Sequence, residues 1–206
     1  TSELEFNKSE NLVFNYILEN DFPEARLLAN RFSLQGYNSV SRGNALLRNE
    51  RFHNASLRYR KMNLYRGITW FANANFNKKV RTIRNEIELS GINQFSTPII
   101  TDNPETNWRL YGSFDKKIYR FRAGITTSLN WFTYTQTLND ITTQNNRNSQ
   151  NMGVTLRTAF KKWPSLEVGY DKGFSQFNGI TQSNYKTNAF HADGTIDFLK
   201  NFVFKF

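Results

Sequence analysis

From 119 to 131 the chain alternates without interruption: Tyr119, Phe121, Ala123, Ile125, Thr127, Leu129 and Trp131 stand against Arg120, Arg122, Gly124, Thr126, Ser128 and Asn130. A period of two belongs to an extended strand whose side chains point to opposite faces. The run exceeds the ~5 to 6 residues usual in globular strands and suits the ~9 to 11 of a strand that crosses a bilayer. One face carries two arginines and suits a wet interior, while the other suits hydrocarbon. The run therefore reads as a transmembrane β-barrel strand.

The same pattern recurs along the chain. Ala55, Leu57 and Tyr59 alternate with Asn54, Ser56, Arg58 and Arg60; after a turn around Asn63, Ile68, Trp70, Ala72, Ala74 and Phe76 alternate with Thr69, Phe71, Asn73, Asn75 and Asn77. This pair predicts a hairpin. Further strands are predicted around Leu12 and Phe14, Trp108 and Leu110, Met152 and Phe160, Leu166 and Tyr170, Phe190 and Phe198, and Phe202 and Phe206, for a total of roughly ten. Long polar segments at 19–50, 90–106, 137–148 and 175–186 alternate with short turns at 8–11, 115–117, 161–164 and 199–201. Outer-membrane barrels segregate their connections this way, with long extracellular loops and short periplasmic turns, and soluble sandwiches have no reason to. Within the first long segment, 23–30 predicts a brief helix with Pro23 at its first position, where a missing N–H costs nothing.

The expected fold is thus all-β, an antiparallel transmembrane β-barrel, with 1–206 forming part of a single barrel domain. Parity sorts the side chains. Arg58, Arg60, Asn73, Asn75, Arg120, Arg122, Asn130, His191 and Asp193 are expected to face the lumen. Leu57, Tyr59, Trp70, Phe76, Trp108, Tyr119, Phe121, Ile125, Leu129, Trp131, Phe190 and Phe198 are expected to face lipid or its interfaces.

Composition narrows the alternatives. Mean hydropathy is −0.63, and no segment approaches the ~20 apolar residues of a membrane-spanning helix. A barrel tolerates that polarity because only half of each strand is apolar. Aromatic residues make up 16% of the chain, including 19 Phe, which argues against disorder despite the many Asn and Thr. There is no cysteine, so disulfides, thiolate metal sites and cysteine nucleophiles are excluded. A net charge of +10 favours anionic partners, among them lipopolysaccharide, an anionic solute or nucleic acid. Thr1 to Glu5 lack the basic and apolar regions of a signal peptide.

Candidate chemistry is sparse. Arg58, Arg60, Arg120 and Arg122 suggest either a cationic path for an anionic solute or a salt-bridge network with acidic residues of barrel or plug. His191, Asp193 and Asp197 are spread over ~20 Å of extended strand, too far to share one metal ion. Asp102, Asn103 and Glu105 lack the pattern and glycine hinge of an EF-hand, and His53 stands alone. No metal site, cofactor or enzymatic activity is expected. Trp70, Trp108, Trp131 and Tyr134 could stack on bases, but most aromatics lie on the face opposite the arginines, which argues against nucleic acid and for a membrane.

At the end of the first long segment, Gly43, Asn44, Ala45, Leu46, Leu47, Arg48, Asn49 and Glu50 resemble the Gly-Asn-Pro-x-Leu-x-Pro-Glu segment of TonB-dependent receptor-like barrels of the Bacteroidetes type. Ala45 and Asn49 replace its two prolines. His53, Asn54, Ala55, Ser56, Leu57, Arg58 and Tyr59 follow like that family's next strand, and Phe22 and Pro23 are similar to its loop entry. The resemblance in loop and strand order runs from about Leu12 to Phe206. It implies a bacterial outer-membrane receptor that takes up a large solute, with ~22 strands around a plug domain. Implied partners are outer-membrane lipid and lipopolysaccharide, the plug, TonB and a surface lipoprotein; the solute is not indicated. Neither plug nor TonB-interacting segment is found in these residues, so the chain is expected to be less than half of the barrel, although Phe202, Phe204 and Phe206 are similar to a barrel-closing terminal signal. A structural or machinery-associated barrel without transport, and a soluble all-β module for glycan or nucleic acid, are the competing readings.

Overall fold

The structure is a computed structural model that describes residues 1–139, 141–158, 165–198 and 202–205, the side chains of 196–198 and 202–205 excepted. Its elements are β1 (Ser2–Asn7), β2 (Glu10–Asp21), helix α1 (Ala25–Leu28), β3 (Phe32–Gly36), β4 (Ser39–Arg42), β5 (Glu50–Asn63), β6 (Ile68–Ser90), β7 (Asn93–Thr101), β8 (Glu105–Ile118), β9 (Phe121–Leu138), β10 (Ile141–Thr158), β11 (Ser165–Asn178), β12 (Gln182–Phe198) and β13 (Phe202–Lys205). The described residues are all-β and form one open 13-stranded sheet. Ten strands run through it in the order β1-β2-β5-β6-β8-β9-β10-β11-β12-β13, antiparallel at every step. The other three make an extension at one end, where β3 pairs with β4, β4 runs parallel to β7, and β7 pairs with the distal part of β6.

The structure corrects several expected connections. The polar stretches 90–106, 137–148 and 175–186 are largely strand: β7 lies in the first, β9 reaches Leu138 and β10 starts at Ile141, and β11 and β12 meet across 179–181. Asymmetry between the two ends therefore resides in how far strands overshoot their apolar stretch, not in loop length. The segment 19–50 is also structured, holding α1, β3 and β4, and the expected helix narrows to Ala25–Leu28. On the other side, β8 continues through 115–117 to Ile118, and the turn falls on Tyr119 and Arg120, with Tyr119 at φ 54°. The turns expected at 161–164 and 199–201, and Phe160 and Phe206, lie outside the described residues.

Two glycines are required by geometry. Gly67 closes the β5–β6 turn at φ 60°, and a Cβ there would stand 2.7 Å from that of Lys117, whose N–H donates to the Gly67 carbonyl at 2.8 Å. Gly43 lets the chain pass so close to Ala29 that a Cβ would sit 2.1 Å from its carbonyl oxygen.

Gly43 opens the segment that ties the extension to the wall. The Asn44 side chain donates to the Pro98 carbonyl of β7 at 3.0 Å and accepts from Leu46 N–H at 2.9 Å, while Asn44 N–H donates to the Leu27 carbonyl at 2.6 Å. Leu47 is buried. Glu50 Oε1 accepts from the Thr82 hydroxyl and from Ile83 N–H, both at 2.8 Å. Conformation, clamp, anchor and acceptor are thus spaced along one short stretch.

Burial sets this molecule apart from a two-layer domain. Leu47 and Phe52 are the only buried hydrophobic residues among those described, whereas Phe14, Ile125, Met152, Val154 and Phe190 are 45–84% exposed. Among the described residues no second layer packs on the apolar face, contrary to the usual way a sheet buries its hydrophobic side.

Gly43→Ala forces a side chain onto backbone, and Glu50→Ala strips two donors of their acceptor. Each is expected to cost about 1–3 kcal/mol, read as a lowered unfolding midpoint in denaturant. Leu46→Ser, at an exposed position, is expected to shift stability by less than about 0.5 kcal/mol.

Candidate functional site

Register threads the polar face into rows across the sheet. Asn15, Ser56, Asn75, Arg109 and Asn130 form one row. Ile17, Asn54, Asn77, Asn107 and Phe132 form the next toward the extension. Together they line most of an open recess of about 580 Å³. Asn77 donates to Asn54, which donates to Glu19 at 2.8 Å. The side-chain oxygens of Asn73, Asn107 and Asn130 have no partner among the described residues, so this amide surface retains hydrogen-bonding capacity.

One end of the recess is held by an ion pair whose carboxylate is buried and whose guanidinium is partly exposed. Glu105 is 3% exposed and bonds Arg84; a carboxylate so enclosed requires such a partner. Arg84 lies 5.3 Å over the Tyr134 ring, which stacks on Phe132 at 4.9 Å. Above them the distal part of β6 reaches the tip of β9, skipping β8. Ile87 pairs with Leu138, Asn139 N–H donates to the Ile87 carbonyl at 3.0 Å, and Leu89 N–H donates to Asn139 Oδ1 at 2.8 Å. Asn139 adopts φ 48°, which its short polar side chain tolerates.

Nearer the opposite end, polar side chains lie across glycines of neighbouring strands. The His191 ring covers Gly169, where a Cβ would come within 2.1 Å of it, and His191 Nδ1 lies 3.4 Å from Asp171 Oδ2. Arg157 pairs with Glu167 at 2.6 Å.

Of the residues expected in the lumen, Arg58, Arg60, Asn73, Asn75, Arg122, Asn130, His191 and Asp193 share this polar face, and the register carries it across the sheet. Asn75 and Arg109 line the recess. Arg120 does not belong to that face: it sits in the β8–β9 turn with its guanidinium 5.2 Å over the Tyr119 ring, and Tyr119 leaves the apolar set for the same reason. Leu57, Tyr59, Trp70, Phe76, Trp108, Phe121, Ile125, Leu129, Trp131 and Phe190 share the opposite face; Phe198 lies at the end of β12 with its side chain outside the described residues. Arg26, Lys61, Arg81, Arg84 and Arg157 pair with carboxylates, whereas Arg58, Arg60 and Arg122 make no ion pair among the described residues. The acidic segment at 102–105 is engaged by Arg81 and Arg84.

The alternation pattern does not single out Arg84, Asn107 and Phe132, because only cross-strand register brings them to Glu105; the polarity of 102–107 is the available signal. Chemically, the recess offers amide donors and acceptors, a stacked aromatic pair and fixed cations, a set suited to holding a polar solute non-covalently. No family model, curated protein or solved structure matches the chain.

Arg84→Ala leaves the Glu105 carboxylate enclosed without its partner, and Glu105→Gln removes that charge. A double-mutant cycle between the two, read by denaturant unfolding, is expected to give a coupling of about 1–3 kcal/mol.

Proposed function

We propose that the sheet is part of the wall of a bacterial outer-membrane β-barrel of about 22 strands, belonging to a TonB-dependent receptor-like transporter that takes up a large solute through a polar lumen. It acts by binding and passage, not by catalysis.

One observation carries the membrane reading: the apolar set drifts across the sheet from β2 to β12. On β2 it comprises Leu12, Phe14, Tyr16 and Leu18, centred on Asn15. The row through Asn15 passes Ser56, Asn75, Arg109, Asn130, Ser149 and Ser175 and arrives at Tyr185. The apolar positions have by then moved toward the short turns. On β10 they are Met152, Val154 and Leu156, on β11 Leu166, Val168 and Tyr170, and on β12 Phe190, Ala192 and Gly194. The centre on β12 is Ala192, about seven residues from Tyr185 after seven strand-to-strand steps. About one residue of ~3.3 Å per ~4.8 Å step is a strand tilt of ~35°, within the range of membrane barrels. A flat slab of hydrocarbon crossing tilted strands selects such a diagonal.

Two further features support the reading. Phe121 and Trp131 bound the apolar run of β9; ten residues at that tilt rise ~27 Å, close to the ~25 Å apolar band of outer-membrane barrels. Rings cluster at both limits of the band on neighbouring strands, with Phe76 4.3 Å from Trp108 at one and Trp70 5.6 Å from Tyr59 and 6.2 Å from Phe114 at the other. The recess lies on the polar face, as expected for the inside of a membrane barrel. The transport reading rests on the resemblance of 43–50 to the receptor-like family, in which Gly43, Asn44, Leu47 and Glu50 have the structural work described above.

Because the chain has no cysteine, single cysteines can carry spin labels for depth measurement in lipid. Labels at Leu57, Ile125, Val154 and Val168 are expected to sit at one depth and be protected from a water-soluble relaxation agent, whereas Phe174 and Lys186, in the same hydrogen-bonded row as Leu57, are expected to be exposed to it. Uniform exposure, or protein that stays monodisperse without detergent, would overturn the membrane wall. For transport, the complete gene product is expected to contain a plug domain and a TonB-interacting segment upstream of this chain; a full-length product without them would defeat active uptake and leave a structural barrel.

A further inference from the structure

The extension formed by β3, β4 and β7 has one face built of hydroxyls and amides. Ser33, Ser41 and Ser96 form a row, and Ser39 and Gln94 pair in the next. Gln35, placed by the irregularity between Leu34 and Gly36, donates to Ser33 at 3.2 Å and to Ser41 at 2.9 Å. This face lines a second recess, of about 620 Å³, bounded by α1 and the chain that follows it. The close pass of Gly43 against Ala29 holds that chain against the sheet.

The lining is cationic. Arg26, Arg31 and Arg42 border the recess, and no carboxylate is among the residues that line it. Arg26 is paired with Glu24 at 2.6 Å, and Arg42 donates to Asn30 at 2.9 Å. The Arg31 guanidinium has no partner among the described residues. A guanidinium presents a planar fork of donors that matches phosphate oxygens, and side-by-side hydroxyls and amides both give and accept hydrogen bonds, as a sugar's ring hydroxyls do. Leu27, Ala29, Phe32 and Pro98 also line the recess.

We propose that this recess binds a phosphorylated sugar, with Arg31 taking the phosphate and the Ser33, Ser41 and Ser96 row the sugar hydroxyls. The same chemistry occurs in the headgroup of a surface glycolipid and in a free sugar phosphate. The inference does not depend on the membrane reading, since recess and ligand can be tested in detergent or in water.

The test is titration of the 206-residue chain with glucose 6-phosphate, glucose and the bisphosphorylated disaccharide of lipid A, followed by ligand-observed NMR. Glucose 6-phosphate is expected to bind, more weakly at higher salt, and at least about tenfold more tightly than glucose. Arg31→Gln is expected to weaken it about tenfold, Arg31→Lys less because the charge remains, and Ser41→Ala by a few-fold, whereas Lys8→Gln in the distant β1–β2 turn leaves it unchanged. Competition by the lipid A disaccharide assigns the glycolipid headgroup as the source, and failure to compete assigns the free sugar phosphate. Absence of glucose 6-phosphate binding, equal binding of glucose, or unchanged affinity in both Arg31→Gln and Ser41→Ala would overturn the proposal.

Discussion

A single sheet of thirteen strands, ten of them along its main path, is held together by its ladder of backbone hydrogen bonds, and among the described residues no second layer receives its apolar side. Everything else in the structure follows from that constraint. Side chains cannot gain stability by filling a core, so the apolar residues are spread at low density over one face, and their burial has to come from the surroundings. The polar face must satisfy its own groups. It does so with amides bonded to amides, with ion pairs across strands, and with glycines that make room for larger neighbours. Leu47 and Phe52, the buried hydrophobic residues among those described, mark where the protein covers itself.

That local cover is built around carboxylates rather than hydrocarbon. Glu50 accepts bonds from two donors on β6, and Glu105 holds Arg84, whose guanidinium lies on Tyr134. Both acids sit where β6 leaves the wall and begins its reach toward β9. A long strand that parts from one neighbour and meets another exposes backbone and side-chain donors at the branch, and fixed acceptors at that point keep the departure from fraying. The recess exists because the arm is held there. Its amide lining continues the polar rows of the wall, so the candidate site is an elaboration of the strand pattern and not a separate module.

How much of this could be read from the residues depended on contrast between the two faces. Ile125, Leu129 and Trp131 against Thr126, Ser128 and Asn130 are legible because one face is apolar and the other is not. In 141–150 and 182–188 both faces are polar, the alternation vanishes, and strands look like loops; only the register reveals that Asn146 pairs with Thr133 and Tyr185 with Ser175. The Tyr119–Arg120 turn was hidden for the opposite reason, since a turn whose residues happen to alternate extends the apparent strand. Asn73, Asn75 and Asn130 were assigned to the correct shared face by parity alone. Arg84 and Glu105 were not recognisable as partners, because their meeting depends on the offset between β6 and β8 as well as on the β6 arm.

The diagonal drift also changes which residues belong together in function. Along a hydrogen-bonded row, Arg58 is aligned with Asn73 and, further on, with Gly173 and Thr187. Measured instead from the centre of each strand's apolar set, Arg58 on β5 and His191 on β12 each lie about one residue from the centre although their rows differ, while Arg60 and Asp171 lie about three residues from it on opposite sides. On the membrane reading proposed above, Arg58 and His191 border one slice of the lumen, with Arg60 and Asp171 to either side of it. The contrast of charge between the two sides of the sheet is thus a property of the whole wall that no single alternating strand discloses.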